Sequence, residues 1–378
     1  MKIVDVRAFP TSFPLPQGGP RLGIGQAVKR DAVMVKVITE DGITGWGESH
    51  HGRAHTAIAK LIETTLRQLI LGMDAFDTTG INARIYKYQL ASHGMGAACA
   101  MAMSGIDMAL WDAKGKALNL PLCRLLGGSA RAVPAYAGGV ALGYQDPVAL
   151  IDEAAPHVEA GYRAVKLRVG DTVKDDVARM EAVRDAFGKE LVILTDANIG
   201  YSVDQVRQVM PEMDRLNIGW LEEPFPAHDH HSYSQARGYG STPLAAGENH
   251  FTRYEFTRVL EDGVITIWQP DLSKCGGITE ALRIAAMASA YKIPIHPHSS
   301  MTGVNQAASI HFLAAIENGG YFEADISKAN RFRDELGSTP WTIGGDGHVR
   351  PNAAPGIGVE VDEGFLAANP PIEGPGYV

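Results

Sequence analysis

The chain has 378 residues, 45% of them apolar and 20% charged, which is enough apolar material for a large packed core and argues against disorder. Its formal net charge of -9 excludes a general binder of nucleic-acid backbone, so any anionic ligand must be held by local positive charge. Cys99, Cys123 and Cys275 are odd in number and far apart, which suits free, buried thiols in a reducing cytoplasm and not a disulfide framework.

Residues 2–9, KIVDVRAF, alternate as a strand, and Lys2, Asp5 and Arg7 exclude the apolar region of a signal peptide. Residues 14–30 are rich in Gly and Pro without periodicity and read as a mobile loop; their GIGQA lacks the third glycine and the strand–helix setting of a dinucleotide fingerprint. Residues 31–48 read as a hairpin turning at Asp41-Gly42, followed by SHHGR at 49–53. Residues 54–119 have helical spacing, and their most apolar run, 97–111, contains Asp107 and is too short to span a bilayer. These elements form an α+β unit over 1–127. No membrane partner is expected, and the expected location is the cytoplasm.

From Val133 the texture changes. Eight short β-rich runs (VPAYAG, AVKLRV, LVILTDA, IGWLEEP, PLAAGE, VITIWQPD, IPIHPHS and YFEAD) alternate with helical stretches. Alternation of this kind implies a parallel sheet, and eight units imply an α/β fold with a (β/α)₈-type barrel over 128–325. The segment 326–378 has no place in the repeat and is expected to return to the first unit.

Arg168, Asp196, Glu222, Glu248, Asp271, His298 and Glu323 each fall at or near the C-terminal end of one of these runs, one βα unit apart. The C-terminal strand ends of such barrels face the active site, so these side chains are expected to converge. The plainer reading of Asp196 and Glu222 is as solvated loop acids, but the shared phase favours a ring. Three carboxylates, Asp196, Glu222 and Glu248, repel one another unless they share a cation, and oxygen-only donors suit a hard ion, Mg²⁺.

The motifs VKLRV, TDAN, LEEP, AAGEN, QPDLSKCGG, PHSS and FEAD, with AMSGIDMALWDAKGKALNLPLCRLLGG at 102–128, resemble the enolase superfamily in its mandelate racemase-like subgroup, near the sugar-acid dehydratases. The resemblance implies an N-terminal capping domain over a modified barrel, one Mg²⁺ on Asp196, Glu222 and Glu248, and removal of the proton α to a carboxylate. Where the muconate cycloisomerase-like branch has a catalytic lysine, this chain has Asp271, followed one strand later by His298; the pair resembles the His-Asp dyad of mandelate racemase. His296, two residues earlier, shares the parity of His298. Glu323 resembles the glutamate that hydrogen-bonds the substrate carboxylate. The loops at 14–30 and 49–53 are expected to set specificity, with Asn198, His50, His51 and Arg53 toward the substrate. Of the remaining polar clusters, HDHH at 228–231 reads as a solvated helix start rather than a second metal site, and Lys274 as a turn lysine rather than a ligand contact.

Related racemases and many dehydratases carry Lys-x-Lys where this chain has Lys166-x-Arg168. A guanidinium stays protonated, so Arg168 holds charge, while Lys166 faces the carboxylate or serves as a second acid/base. One base, His298, favours dehydration of an aldonate or aldarate to a 2-keto-3-deoxy acid. The alternatives are a racemase or epimerase, which needs bases on both faces, and a non-catalytic metal-binding relative. The partner expected is a small carboxylate, with the chain forming a homo-oligomer.

Overall fold

The computed structural model describes residues 1–378 apart from 16, 17, 20, 93, 94 and 329. The alternating N-terminal run forms β1 (Ile3–Pro14). The region expected to be an aperiodic loop, part of which lies outside the described residues, folds into a small hairpin of β2 (Arg21–Leu22) and β3 (Gly25–Gln26). β4 (Lys29–Thr39) and β5 (Thr44–Ser49) complete an antiparallel sheet in the order β1-β4-β5, with the Asp41-Gly42 turn between them.

The helix Ala97–Leu118 lies across β5 and is buried around nearly its whole circumference, which explains its lack of a polar face. The approach is too close for side chains: a Cβ at Gly47 would lie 2.2 Å from the carbonyl oxygen of Gly105. The helix's other side ties into the barrel. Ser104 Oγ accepts from Gly276 N at 2.9 Å, Asp107 from Thr279 N at 2.8 Å, and Trp111 Nε1 donates to Thr279 Oγ1 at 2.9 Å. No helix among the described residues is long and apolar enough to cross a membrane.

The β-rich runs become β6 (Val133–Gly138), β7 (Ala164–Arg168), β8 (Val192–Asp196), β9 (Ile218–Glu222), β10 (Leu244–Ala246), β11 (Ile267–Trp268) and β12 (Phe322–Asp325), a parallel sheet in the order β11-β10-β9-β8-β7-β6-β12. The run IPIHPHS forms no ladder, because Pro294 and Pro297 supply no backbone donors. Only Ile295 pairs, with Trp268 on one side and Gly319 on the other, and it carries the path round toward β12. Within the sheet, Tyr136, Ala164, Leu194, Trp220, Ala245 and Ile267 form one apolar layer of successive strands. The three cysteines are free and buried.

The last fifty residues run back over the molecule. β13 (His348–Val349) pairs antiparallel with β6, and Ile357 N donates to Asp112 Oδ1 at 2.8 Å. Asp112 also accepts from Trp46 N at 2.9 Å and Lys116 Nζ at 2.6 Å, so one buried carboxylate joins the N-terminal sheet, the long helix and this segment. Replacing it leaves two buried N–H groups and the Lys116 charge without their acceptor. Asp112→Ala is expected to cost about 2–4 kcal/mol, read as a lower urea midpoint at unchanged slope. An unchanged midpoint would show that the carboxylate carries no structural burden.

Candidate active site

Side chains two residues apart on a strand share a face, so the residues following the apolar layer also point into the barrel. Ala164, Leu194 and Trp220 are followed in this way by Lys166, Asp196 and Glu222. The layer changes from apolar to charged within one step, at the C-terminal rim. The ladder holds Arg168 opposite Asp196 and Asp196 opposite Glu222.

Lys166 is fully buried, and its ammonium is surrounded by carboxylates: Glu323 at 2.9 Å, Glu222 at 3.0 Å and Asp196 at 3.3 Å. Burial opposes its charge, but Glu222 and Glu323 outweigh that and hold the pKa well above the usual lysine range. Arg168 donates through Nη1 to Asp196 and to Asn198 Oδ1 (3.0 Å), and through Nη2 to the Gly139 carbonyl. Both cations of VKLRV are therefore paired to carboxylates of the ring. Glu323 accepts from Gly139 N and Ser299 N as well as Lys166. Although burial opposes ionisation, the charges of Lys166, His298 and Arg168 pull its pKa down to about 2.

His298 Nδ1 lies 2.6 Å from Asp271 Oδ2, and Nε2 lies 3.2 Å from Glu248 Oε2. Asp271 is fixed by Ser273, whose N and Oγ both donate at 2.7 Å, and by Asn305 Nδ2 at 3.1 Å. Burial disfavours the imidazolium, but Glu248, Glu323 and the Asp271 hydrogen bond push the pKa of His298 up to about 9. His296 faces elsewhere: it accepts from Tyr321 N at 2.9 Å, packs edge-on to Trp220, and is pushed down to about 4 by burial.

The acids outnumber the cations here. Burial and the charge of Asp196 push Glu222 up to about 8, and burial with the charge of Glu248 raises Glu223 well above the carboxylate range. Among the described residues no three His, Cys, Asp or Glu side chains are already gathered at metal-ligand spacing. Asp196 and Glu222 lean on Lys166, and Glu248 on Lys274 at 2.9 Å. The donor set nonetheless fits a hard divalent cation: Asp196, Glu222 and Glu248 stand at the ends of adjacent strands, offer only oxygen, and carry excess negative charge.

Above the ring lies a cavity of about 350 Å³ lined by Arg168, Asn198, Glu248 and His298 from the barrel. His50, His51 and Arg53 line it from the N-terminal unit, and burial keeps both histidines neutral. Their loop is tied to the dyad, since His50 N donates to Ser273 O at 3.0 Å. Leu22 and Ile24, at the tip of the β2–β3 hairpin, form part of the roof. Between them Gly23 sits directly on the loop after β8, where a Cβ would lie 2.3 Å from the Ala197 carbonyl oxygen.

Some lining residues escape the sequence reading. Lys274 is no exposed turn lysine: it is buried, paired to Glu248 and part of the cavity wall. His228, read as part of a solvated helix start, also lines the cavity. Tyr377 lines it too. Glu48 stands outside the wall: it is fully buried, accepts from Thr302 N at 3.0 Å, and is pushed up to about 8 by burial. A signal for Lys274 existed, as it lies three residues beyond the ring residue Asp271; nothing comparable marked Glu48 or Tyr377.

Comparison with known proteins places this geometry. The family model for the mandelate racemase / muconate lactonizing enzyme N-terminal domain matches residues 11–127, and that for the enolase C-terminal domain-like unit matches 149–365. An arabinonate dehydratase of Saccharolobus solfataricus is 31% identical over 89% of this chain and 90% of its own. A 3,6-anhydro-alpha-L-galactonate cycloisomerase of Streptomyces coelicolor is 32% identical over 95% of this chain and 97% of its own. A solved enolase-superfamily structure from Polaromonas sp. JS666 is 53% identical, with a TM-score of 0.98 over 100% of both chains. A Streptomyces coelicolor racemase solved with bound magnesium is 29% identical, with a TM-score of 0.87 over 97% of this chain and 98% of its own. With family models matching both halves of the chain and relatives above 30% identity along most of its length, the chain belongs to the enolase superfamily, in its mandelate racemase-like branch.

Proposed function

We propose that this chain is a Mg²⁺-dependent dehydratase of a sugar acid, an aldonate or aldarate, giving a 2-keto-3-deoxy acid. The observation that carries the reading is the inventory of proton acceptors facing the cavity. His298, oriented by Asp271, lines it, and a metal held by Glu248 would draw that carboxylate off Nε2, while Lys166 is enclosed by carboxylates below and Arg168 is a guanidinium bound to Asp196. Racemisation through two bases needs a second acceptor on the opposite face of the carbon, and where related racemases carry a second lysine this chain has Arg168, a group that stays charged. The arabinonate dehydratase relative supports the same reaction class.

The metal would be held by Asp196, Glu222 and Glu248, and when bound it supplies Lewis-acid stabilisation of the charge that develops on the substrate carboxylate. Arg168 and Lys274, both in the cavity wall but paired to Asp196 and Glu248, add positive potential near that carboxylate without being free partners for it. His298 Nε2 takes the proton from C2, and the C–H electron pair moves into the C1–C2 bond to give an enediolate. Asp271 holds the ring by its other nitrogen and stabilises the imidazolium. As the C2–C3 double bond forms, the C3–O bond breaks and His298 returns its proton to the leaving hydroxyl, releasing water. The resulting enol tautomerises to the 2-keto acid.

The cycloisomerase relative gives a second reading a specific footing. The same base and enediolate can expel a β-oxygen that belongs to a ring, so that no water is lost.

Incubation with Mg²⁺ and a panel of aldonic and aldaric acids is expected to yield a 2-keto acid from at least one, with activity lost on chelation and restored by Mg²⁺. Exchange and inversion at C2 without keto product would replace this reading by a racemase. Product formation without release of water would replace it by a cycloisomerase. His298→Asn is expected to lower kcat about 10²–10⁴-fold with the fold retained by circular dichroism. Asp271→Asn is expected to lower kcat more than it raises KM, because the ring loses its orientation and not its place. A His298→Asn enzyme that keeps its rate would show that another group takes the proton.

A further inference from the structure

The hairpin over the cavity is not held by its own two short strands alone. Residues 376–378 run antiparallel beside it: Gln26 N donates to Val378 O at 2.8 Å, Val378 N to Gln26 O at 3.0 Å, and Val28 N to Gly376 O at 2.9 Å. Ala27 and Tyr377 are bridge partners in this pairing. The approach to it is anchored on β1 and β4. Thr11 Oγ1 donates to Asn369 O at 2.6 Å, Ile372 N to Ser12 Oγ at 3.1 Å, and Lys29 Nζ to Ile372 O. Ser12 and Lys29 are buried and converge on Asp31, at 2.6 and 3.1 Å. Shifting the segment would unpair members of this buried network, so its register is firmly set.

That register brings Tyr377 into the cavity wall, with the guanidinium of Arg53 4.9 Å above its ring. Among the described residues Arg53 has no carboxylate within ion-pair distance. The other strong cations of the wall, Arg168 and Lys274, are committed to Asp196 and Glu248. Arg53 is exposed and stands on a loop residue with φ of 58°, so the aromatic face is what restrains its position.

We propose that residues 376–378 are the third strand of the lid over the active site, and that Tyr377 is a positioning residue that holds Arg53 toward the distal end of the acid substrate. A hairpin with two residues per strand has too little pairing to persist alone, and the third strand closes its open edge. The substrate part of this inference rests on the dehydratase reading; the latch does not.

The test uses the full chain and three variants: Tyr377→Ala, Tyr377→Leu, which keeps apolar bulk without a ring, and Tyr377→Phe. Tyr377→Ala and Tyr377→Leu are expected to raise KM for the acid found in the product screen about 5- to 20-fold, with kcat within about threefold of the parent. Tryptic cleavage after the exposed Arg21 should accelerate by at least about fivefold in both. Tyr377→Phe retains the ring and is expected to recover KM and protection together. Unchanged KM in the two ring-less variants, or a loss that phenylalanine does not recover, overturns the positioning role. If no acid turns over, the dehydratase reading fails separately, and cleavage at Arg21 still decides the latch: equal rates in parent and ring-less variants overturn it.

Discussion

Everything at the rim of this barrel is arranged around a buried ammonium. Lys166, with no exposed surface, stands among Asp196, Glu222 and Glu323. An isolated charge there would be prohibitively unfavourable, and three carboxylates without it would force one another apart. Each side of the cluster offsets the cost of burying the other, and the ladder of β7, β8 and β9 brings Arg168, Asp196 and Glu222 level beside it. The same crowding raises the pKa of Glu222 and Glu223, a strain that a divalent cation shared among the carboxylates would relieve.

The second constraint is orientation. His298 is reached by a chain of contacts that starts outside the barrel: the 49–53 loop through His50 N to Ser273 O, Ser273 to Asp271, and Asp271 to the imidazole. Glu48, on β5, caps the Gly303–Leu313 helix through Thr302, close to the same aspartate. Chemistry on the barrel and recognition from the N-terminal unit are thus joined by hydrogen bonds.

The ring was legible in the sequence because its signal is periodic. One ionisable residue per βα unit, at the end of each apolar run, has a local cause that needs no knowledge of the remote chain. IPIHPHS was legible only in part: its residues sit where the repeat puts them, but its two prolines leave Ile295 alone to pair. The 14–30 segment was expected to close over the site, but the strands that build it were not legible. Its strands are two residues long, its composition is that of a loop, and the third strand beside it comes some 350 residues later. Lys274 was misread for a different reason. A lysine in a Gly-containing turn is usually exposed, and only its pairing with Glu248 across the site makes burial tolerable.

The Ala97–Leu118 helix has a consequence for how the molecule comes apart. It is packed closely on β5 on one side and bonded to the barrel on the side facing Gly276 and Thr279, so the two textures of the sequence share one buried element. Melting that helix strips packing from the antiparallel sheet and the barrel at the same moment. Two regions that read as independent along the chain therefore share one fate in denaturation. A fragment cut between them keeps the helix on β5 but exposes the face that the barrel covers.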